Sequence, residues 1–413
     1  MKKLSAITYL VSVLVIVSFF APVARAEISL TPSISVREEY NDNIFLTPSN
    51  EQEDFITNIT PSVNLSYKTD LISLFLDYGF TYRYYANNTN LNETSLNRKQ
   101  RAKIDTKLSP IKDIFFIRIL DEYQRVPIDQ RRQVSFDNEI VNLTDSNNFL
   151  VNPYIEYPLS GSLKANVGYS YQNLWYNSKQ GDDAENHTLK AVLSKAFSPK
   201  LNASLSYSYL FHRPQKTEVY DKQDVSLGIG YQVTPKLSLS GSVGESRFKY
   251  LLREEQSSIV WQAQASYLLT DIFTLSVGYS ESFADSVNQG TYKNKTINGS
   301  INYNGQMPTI LSLFRNTAEY NSVNREDRSL GATLATSIPV TAALTPRLTG
   351  TYTHFDFLPD NDKVNRYSMG FALDYALKIT TLTAGYTFNL NDSTNNIDDY
   401  TNNIVWVQAK FSY

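Results

Sequence analysis

From Leu201 to Phe211 the chain alternates: Leu201, Ala203, Leu205, Tyr207, Tyr209 and Phe211 are apolar or aromatic, while Asn202, Ser204, Ser206 and Ser208 are polar. A period of two sends successive side chains to opposite faces of an extended backbone, so the stretch reads as a strand with one apolar and one polar face. The pattern returns in Val225, Leu227, Ile229, Tyr231 and Val233 against Ser226, Gly228, Gly230 and Gln232, and again in Leu237, Leu239 and Val243 against Ser238, Ser240 and Ser242. Phe273, Leu275, Val277 and Tyr279 against Thr274, Ser276, Gly278 and Ser280 repeat it once more. Such strands run to roughly ten residues, longer than the ~5–6 usual in soluble sandwiches and close to the ~9–11 a strand needs to cross a bilayer.

The N-terminus is an export leader by pattern. Lys2 and Lys3 precede an apolar run from Ile7 to Phe20 broken only by Thr8, Ser12 and Ser18, and Ala24-Arg25-Ala26 has the small-x-small form of a cleavage site. Residues 1–26 are therefore expected to be removed, leaving 27–413 as one domain. No later apolar stretch approaches the ~20 residues of a membrane helix, and mean hydropathy is −0.33 with 42% hydrophobic residues, so a membrane crossing would be made by strands. A closed barrel satisfies every backbone group without an edge, which a lipid environment demands.

Punctuation gives the strand count. Tight turns such as Ser198-Pro199-Lys200, Thr234-Pro235-Lys236, Leu269-Thr270-Asp271 and Gly305 to Pro308 alternate with polar loops such as Asn43 to Glu53, Pro214 to Lys222 and Asn391 to Asn402. Nine turns and ten loops separate twenty strands, with eighteen as the alternative. The expected fold is an antiparallel up-and-down transmembrane β-barrel without a plug, its termini on the short-turn side, integral to the outer membrane of a Gram-negative bacterium. Tyr is expected to gather toward one end of the strands as an interfacial girdle. The last strand sets Val405, Val407, Ala409, Phe411 and the terminal Tyr413 against Gln408, Lys410 and Ser412; an aromatic end on a long alternating strand resembles the signal read by the outer-membrane barrel assembly machinery.

A barrel of this strand number is too wide for side chains to fill. Around Gln100 to Ser109, the period puts Ala102, Ile104, Thr106 and Leu108 toward lipid and Arg101, Lys103, Asp105 and Lys107 inside, with Asp77 and Arg83 on the preceding strand and Arg118 and Glu122 on the following one. Charge is costly at the lipid midplane and cheap in a wet lumen. These eight residues form a candidate lumen strip with a basic excess, able to guide a polyanion or merely tolerated there. The connection from Asp121 to Leu143, carrying Arg125, Asp129, Arg131 and Arg132, is the candidate constriction; on sequence the preferred reading is a solvated external loop.

Chemistry is poorly provided for. Zero Cys and three His (His187, His212, His354), none beside a motif that names a nucleophile, leave no thiol chemistry, no cysteine metal cluster and no recognisable triad. The acidic runs Asp360-Asn361-Asp362 and Asp392 with Asp398-Asp399 lack the spacing of a calcium loop and read as solvated. No catalytic residue, cofactor or metal site is expected, and a net charge of −3 provides no field for nucleic acid.

Two stretches carry a resemblance. Ser33 to Leu46 (SISVREEYNDNIFL) with Pro61 to Tyr67 (PSVNLSY), and then Asn142 to Phe149 (NLTDSNNF) with Val151-Asn152-Pro153-Tyr154, resemble the outer-membrane β-barrel (porin-like) family associated with exopolysaccharide and PEP-CTERM (exosortase) gene clusters. The resemblance implies a barrel that passes an exopolysaccharide across the outer membrane with periplasmic export components, in contact with outer-membrane lipid and lipopolysaccharide. It brings no catalytic residues with it. The alternatives are a general or sugar-selective diffusion porin and a structural or adhesive barrel with a closed lumen.

Overall fold

The computed structural model describes residues 26–94, 100–134, 140–320, 323–396 and 398–413, so the leader, apart from Ala26, lies outside the described residues. The alternation folds as strands throughout. They are β1 Glu27–Asn41, β2 Asp54–Lys68, β3 Ile72–Phe80, β4 Tyr82–Tyr85, β5 Gln100–Ile111, β6 Phe115–Pro127, β7 Leu143–Ser160, β8 Leu163–Tyr176, β9 Ala184–Ser198, β10 Leu201–Pro214 and β11 Tyr220–Thr234. The series continues with β12 Leu237–Tyr250, β13 Gln256–Thr270, β14 Phe273–Asp285, β15 Thr291–Tyr303, β16 Thr309–Tyr320, β17 Glu326–Ser337, β18 Leu344–Leu358, β19 Asp362–Ala376, β20 Thr380–Ser393 and β21 Tyr400–Ser412. β2 pairs with both β3 and β4, which are one stave interrupted at Thr81. The wall therefore has twenty staves.

Each stave pairs antiparallel with its neighbours in sequence, and β21 returns to β1 with Ile34 opposite Phe411 and Asn41 opposite Ile404. Closure gives the backbone groups of both terminal strands partners, which an open sheet in lipid could not do. At ~4.8 Å between strands and a tilt near 40°, twenty staves make a wall ~40 Å across. Several strands extend beyond the alternating stretches: β7 has 18 residues, and β20 and β21 continue to Ser393 and back from Tyr400, inside what the composition marks as loop. Above the bilayer neither face must be apolar, so the pattern fades while the ladder continues.

Directly opposed residues share a face, so the register assigns every side chain. Leu205, Leu227, Val243, Val277 and Leu313 fall on one continuous face and are each more than half exposed; this is the membrane surface. Ile72, Leu74, Leu76, Ile104 and Leu108 have the same phase but gather into a buried apolar cluster, none more than 8% exposed. Aromatic side chains ring this surface at two levels, where one level is expected from the sequence. Phe273–Tyr303, Tyr231 and Tyr375 lie near the short turns, and Tyr40–Phe55, Tyr209–Phe211, Trp261–Tyr279 and Tyr352–Tyr367 near the long loops. Two girdles separated by an apolar band match a bilayer with two interfaces.

Candidate functional site

The inner face is mostly Ser, Thr, Asn, Gln and Gly. Over β10 to β15, Asn202, Ser204, Gly228, Gly230, Ser240, Ser242, Gln262, Gln264, Gly278, Ser280 and Asn298 line a shallow groove of about 440 Å³. Short side chains leave the backbone close to the lumen along this groove.

On the other side of the lumen stands the charged strip. The register puts Asp77, Arg83, Arg101, Lys103, Asp105, Lys107, Arg118 and Glu122 all on the inward face. Arg101 pairs with Asp77 at 3.2 Å, Lys103 with Glu122 at 3.6 Å, and Arg118 grips Asp105 through two hydrogen bonds of 3.0 and 2.7 Å. Lys107 instead lies 4.1 Å from the centre of the Phe116 ring. Arg83 is buried, donating to Asn58 Oδ1 at 2.6 Å. Five cations against three carboxylates leave the strip positive. Exposed pairs contribute ~0–1 kcal/mol each, so the strip adds little to stability.

The candidate constriction residues lie where composition does not put them. The loop after β6, preferred on sequence as solvated and external, turns inward and crosses the barrel. Arg131 donates through Nε and Nη1 to Asp327 (2.8 Å) and Asp360 (2.8 Å) and through Nη2 to the carbonyl of Leu358 (2.8 Å). Asp129 accepts from Arg325 at 3.0 Å, and Arg366 donates to the carbonyls of Gln130 (2.9 Å) and Arg132 (2.8 Å). Tyr400 donates to the carbonyl of Val134 at 2.7 Å. β17 is ten staves from β7 in either direction around the ring, so these contacts span the lumen. Burial works against the Arg325 charge, but the hydrogen bonds and attraction of Asp327 outweigh it and hold its pKa above the ordinary arginine value. Arg132 enters through its backbone, its N–H donating to the Asp129 carbonyl at 3.2 Å and its carbonyl accepting from Arg366, while Arg125 stays on the wall, paired with Asp145 at 3.0 Å and Glu93 at 3.4 Å. Asn142 shapes the loop base: at φ 56° it accepts from Asp129 N and donates to the carbonyls of Asp129 and Gln133. An inward turn is invisible in composition, because partly buried ion pairs use the same residue types as a wet loop.

A second element narrows the mouth. The ladder between β13 and β14 ends at Gln262–Ser280, although both strands continue. Above that point the β14–β15 hairpin leans into the lumen, turning at Gly290 with φ 76°, a conformation that favours glycine. Phe283 packs edge-on against Phe248 at 4.6 Å, and Asp285 accepts from Tyr220 at 3.3 Å. Between this hairpin, residues 126–130 and the wall of β16 to β18 lies a cavity of about 400 Å³. Phe248 is only 2% exposed, so Phe248→Ala should remove ~3 kcal/mol of packing and free the hairpin tip. Limited proteolysis of intact vesicles should then cut near residues 286–290; an uncut tip would mean that other contacts hold it.

Solved structures share this architecture. The chain is similar to a mutant form of the ferric enterobactin receptor PfeA of Pseudomonas aeruginosa, with TM-score 0.55, 10% identity, and coverage of 94% of this chain and 81% of that one. It is also similar to the siderophore receptor PirA of Pseudomonas aeruginosa (TM-score 0.50, 10% identity, 94% and 81% covered) and to the ferric citrate transporter FecA in its unliganded form (TM-score 0.51, 11% identity, 93% and 79% covered). The chain has the fold of an outer-membrane β-barrel. No family model matches it, and no curated protein matches it, so the resemblance to the exopolysaccharide-associated family rests on its quoted residues alone.

Those residues have a structural task in this outer-membrane barrel. Asn41, Asn43, Ile44 and Leu46 are buried at the mouth beside the β1–β21 closure. Asn402 donates to Asn41 Oδ1 at 2.7 Å, Asn403 Nδ2 to Asp42, and Asn43 to the carbonyl of Thr401 at 3.1 Å. Ile44 packs with Ile56 and Tyr85 against Leu91 and Ile140. The motif thus fastens the two ends of the ring. The terminal strand presents Val405, Val407, Ala409 and Phe411 outward between β1 and β20, and Tyr413, beyond the strand, donates its N–H to Pro32. His187 and His354 lie on the outer face, while His212 is buried inside, 2.7 Å from Asn186 Oδ1. Asp360, one of the acidic-run residues, is taken up by Arg131.

Proposed function

We propose that the barrel is a pore for hydrophilic solutes, narrowed at its mouth by residues 128–134 and by the β14–β15 hairpin. One observation carries this reading: the Arg131 latch ties a loop to the far wall of a barrel otherwise too wide for its side chains to fill. The polar inner face and the positive strip support it by offering water-compatible walls. Liposomes containing the protein should swell in monosaccharide solutions. No swelling with the wild type or with an Arg131→Ala variant would instead indicate a structural or adhesive barrel with a closed lumen.

Passage of an exopolysaccharide is a second reading. The resemblance favours it, as does the groove of small side chains, along which an extended chain of sugars would slide with little obstruction. It requires the latch to part, with periplasmic export components delivering the polymer. Deletion of the gene with unchanged surface polysaccharide would sink export and leave the pore reading intact. The outward residues of β21 with Tyr413 serve, in the same proposal, as the assembly signal.

A further inference from the structure

The outer face changes character at one level on β15 to β17. Below it run Ile301 and Ile297, Leu311 and Leu313, and Leu334 and Leu330; above it come Lys295, Thr317 and Arg328. Each of these upper cations has a carboxylate: Lys295 meets Glu319 at 2.5 Å, and Arg328 meets Glu326 at 2.6 Å and Asp356 at 3.9 Å. Arg315 differs. It sits one row lower, directly opposite Ile297 on one side and Leu330 on the other, which are 49% and 57% exposed. It is exposed itself, and among the described residues no carboxylate lies within ion-pair reach.

In the row of Tyr279 and Ile297, at the upper girdle, an arginine costs little by itself and is held in place where its head finds a partner. Its stem can lie along the apolar side chains while the guanidinium rises toward the interface, where Thr317 offers a hydroxyl between Lys295 and Arg328. A guanidinium matches a phosphate monoester, and the row above adds Lys295 and Arg328, each paired with a carboxylate. We propose that Arg315, with Thr317 and flanked by Lys295 and Arg328, binds the phosphate of a glycolipid in the outer leaflet. A membrane lipid is favoured over a soluble anion because the site opens onto the lipid face, beside Ile297 and Leu330. This holds whether or not the lumen conducts.

The full-length protein in detergent would be titrated with diphosphoryl lipid A and with its dephosphorylated form, with bound lipid counted by native mass spectrometry. Wild type should prefer the phosphorylated lipid, and Arg315→Ala should bind it roughly ten-fold or more weakly, the loss expected for a charge-assisted contact. Arg315→Lys, which keeps the charge without the fork, should fall between. Unchanged binding by Arg315→Ala, or equal wild-type affinity for the two lipids, would overturn the site. The lipid comparison needs no variant, so a failure of Arg315→Ala to fold does not obscure the answer.

Discussion

Arg131→Ala should raise single-channel conductance and lengthen the open state in planar bilayers. The guanidinium is 16% exposed and Asp327 12%; removing it takes from Asp327 one of two arginine partners, with Arg325 remaining at 2.7 Å. Leaving a lone buried charge costs ~3–5 kcal/mol; because Arg325 stays on Asp327 and solvent reaches Asp360, about 1 kcal/mol remains, or ~5-fold in the balance between latched and released loop. A conductance in Arg131→Ala equal to that of the wild type would show that residues 128–134 do not limit the path.

Reversing the wall charge should change which ions pass. With Arg101→Glu and Lys103→Glu together, the strip goes from five cations and three carboxylates to three and five, so its excess changes sign. The reversal potential in a potassium chloride gradient should move toward cation preference, more at low ionic strength because screening sets in over ~10 Å at 0.1 M salt. The shift should be smaller for either change alone. Indifference of the reversal potential to both changes would separate the strip from the conducting path.

How far the site was legible depends on the kind of information each residue carries. Lys103 and Lys107 could be placed inward from sequence, because a two-residue period and an apolar partner set leave one choice of phase. The backbone turn at Asn142 and the reach of Arg131 to Asp327, 196 positions away, carry no local signature. The β14–β15 hairpin is similar: Phe283 continues the outward phase of Tyr279 by spacing, yet it packs on Phe248 inside, because the strand pair leaves the wall above Ser280 and leans over. Only the loss of pairing with β13 reveals it.

The order of strands, their antiparallel sense, their number and the facing of residues in the membrane-crossing stretches were determined by the sequence itself, since alternation and turn residues act between near neighbours and a lipid surface enforces them. Tertiary structure alone decided what closes the mouth. Its ion pairs and the Asn41–Asn402 fastening arise from strands that meet only when twenty staves bend into a ring, and no short-range rule specifies which loop then faces which.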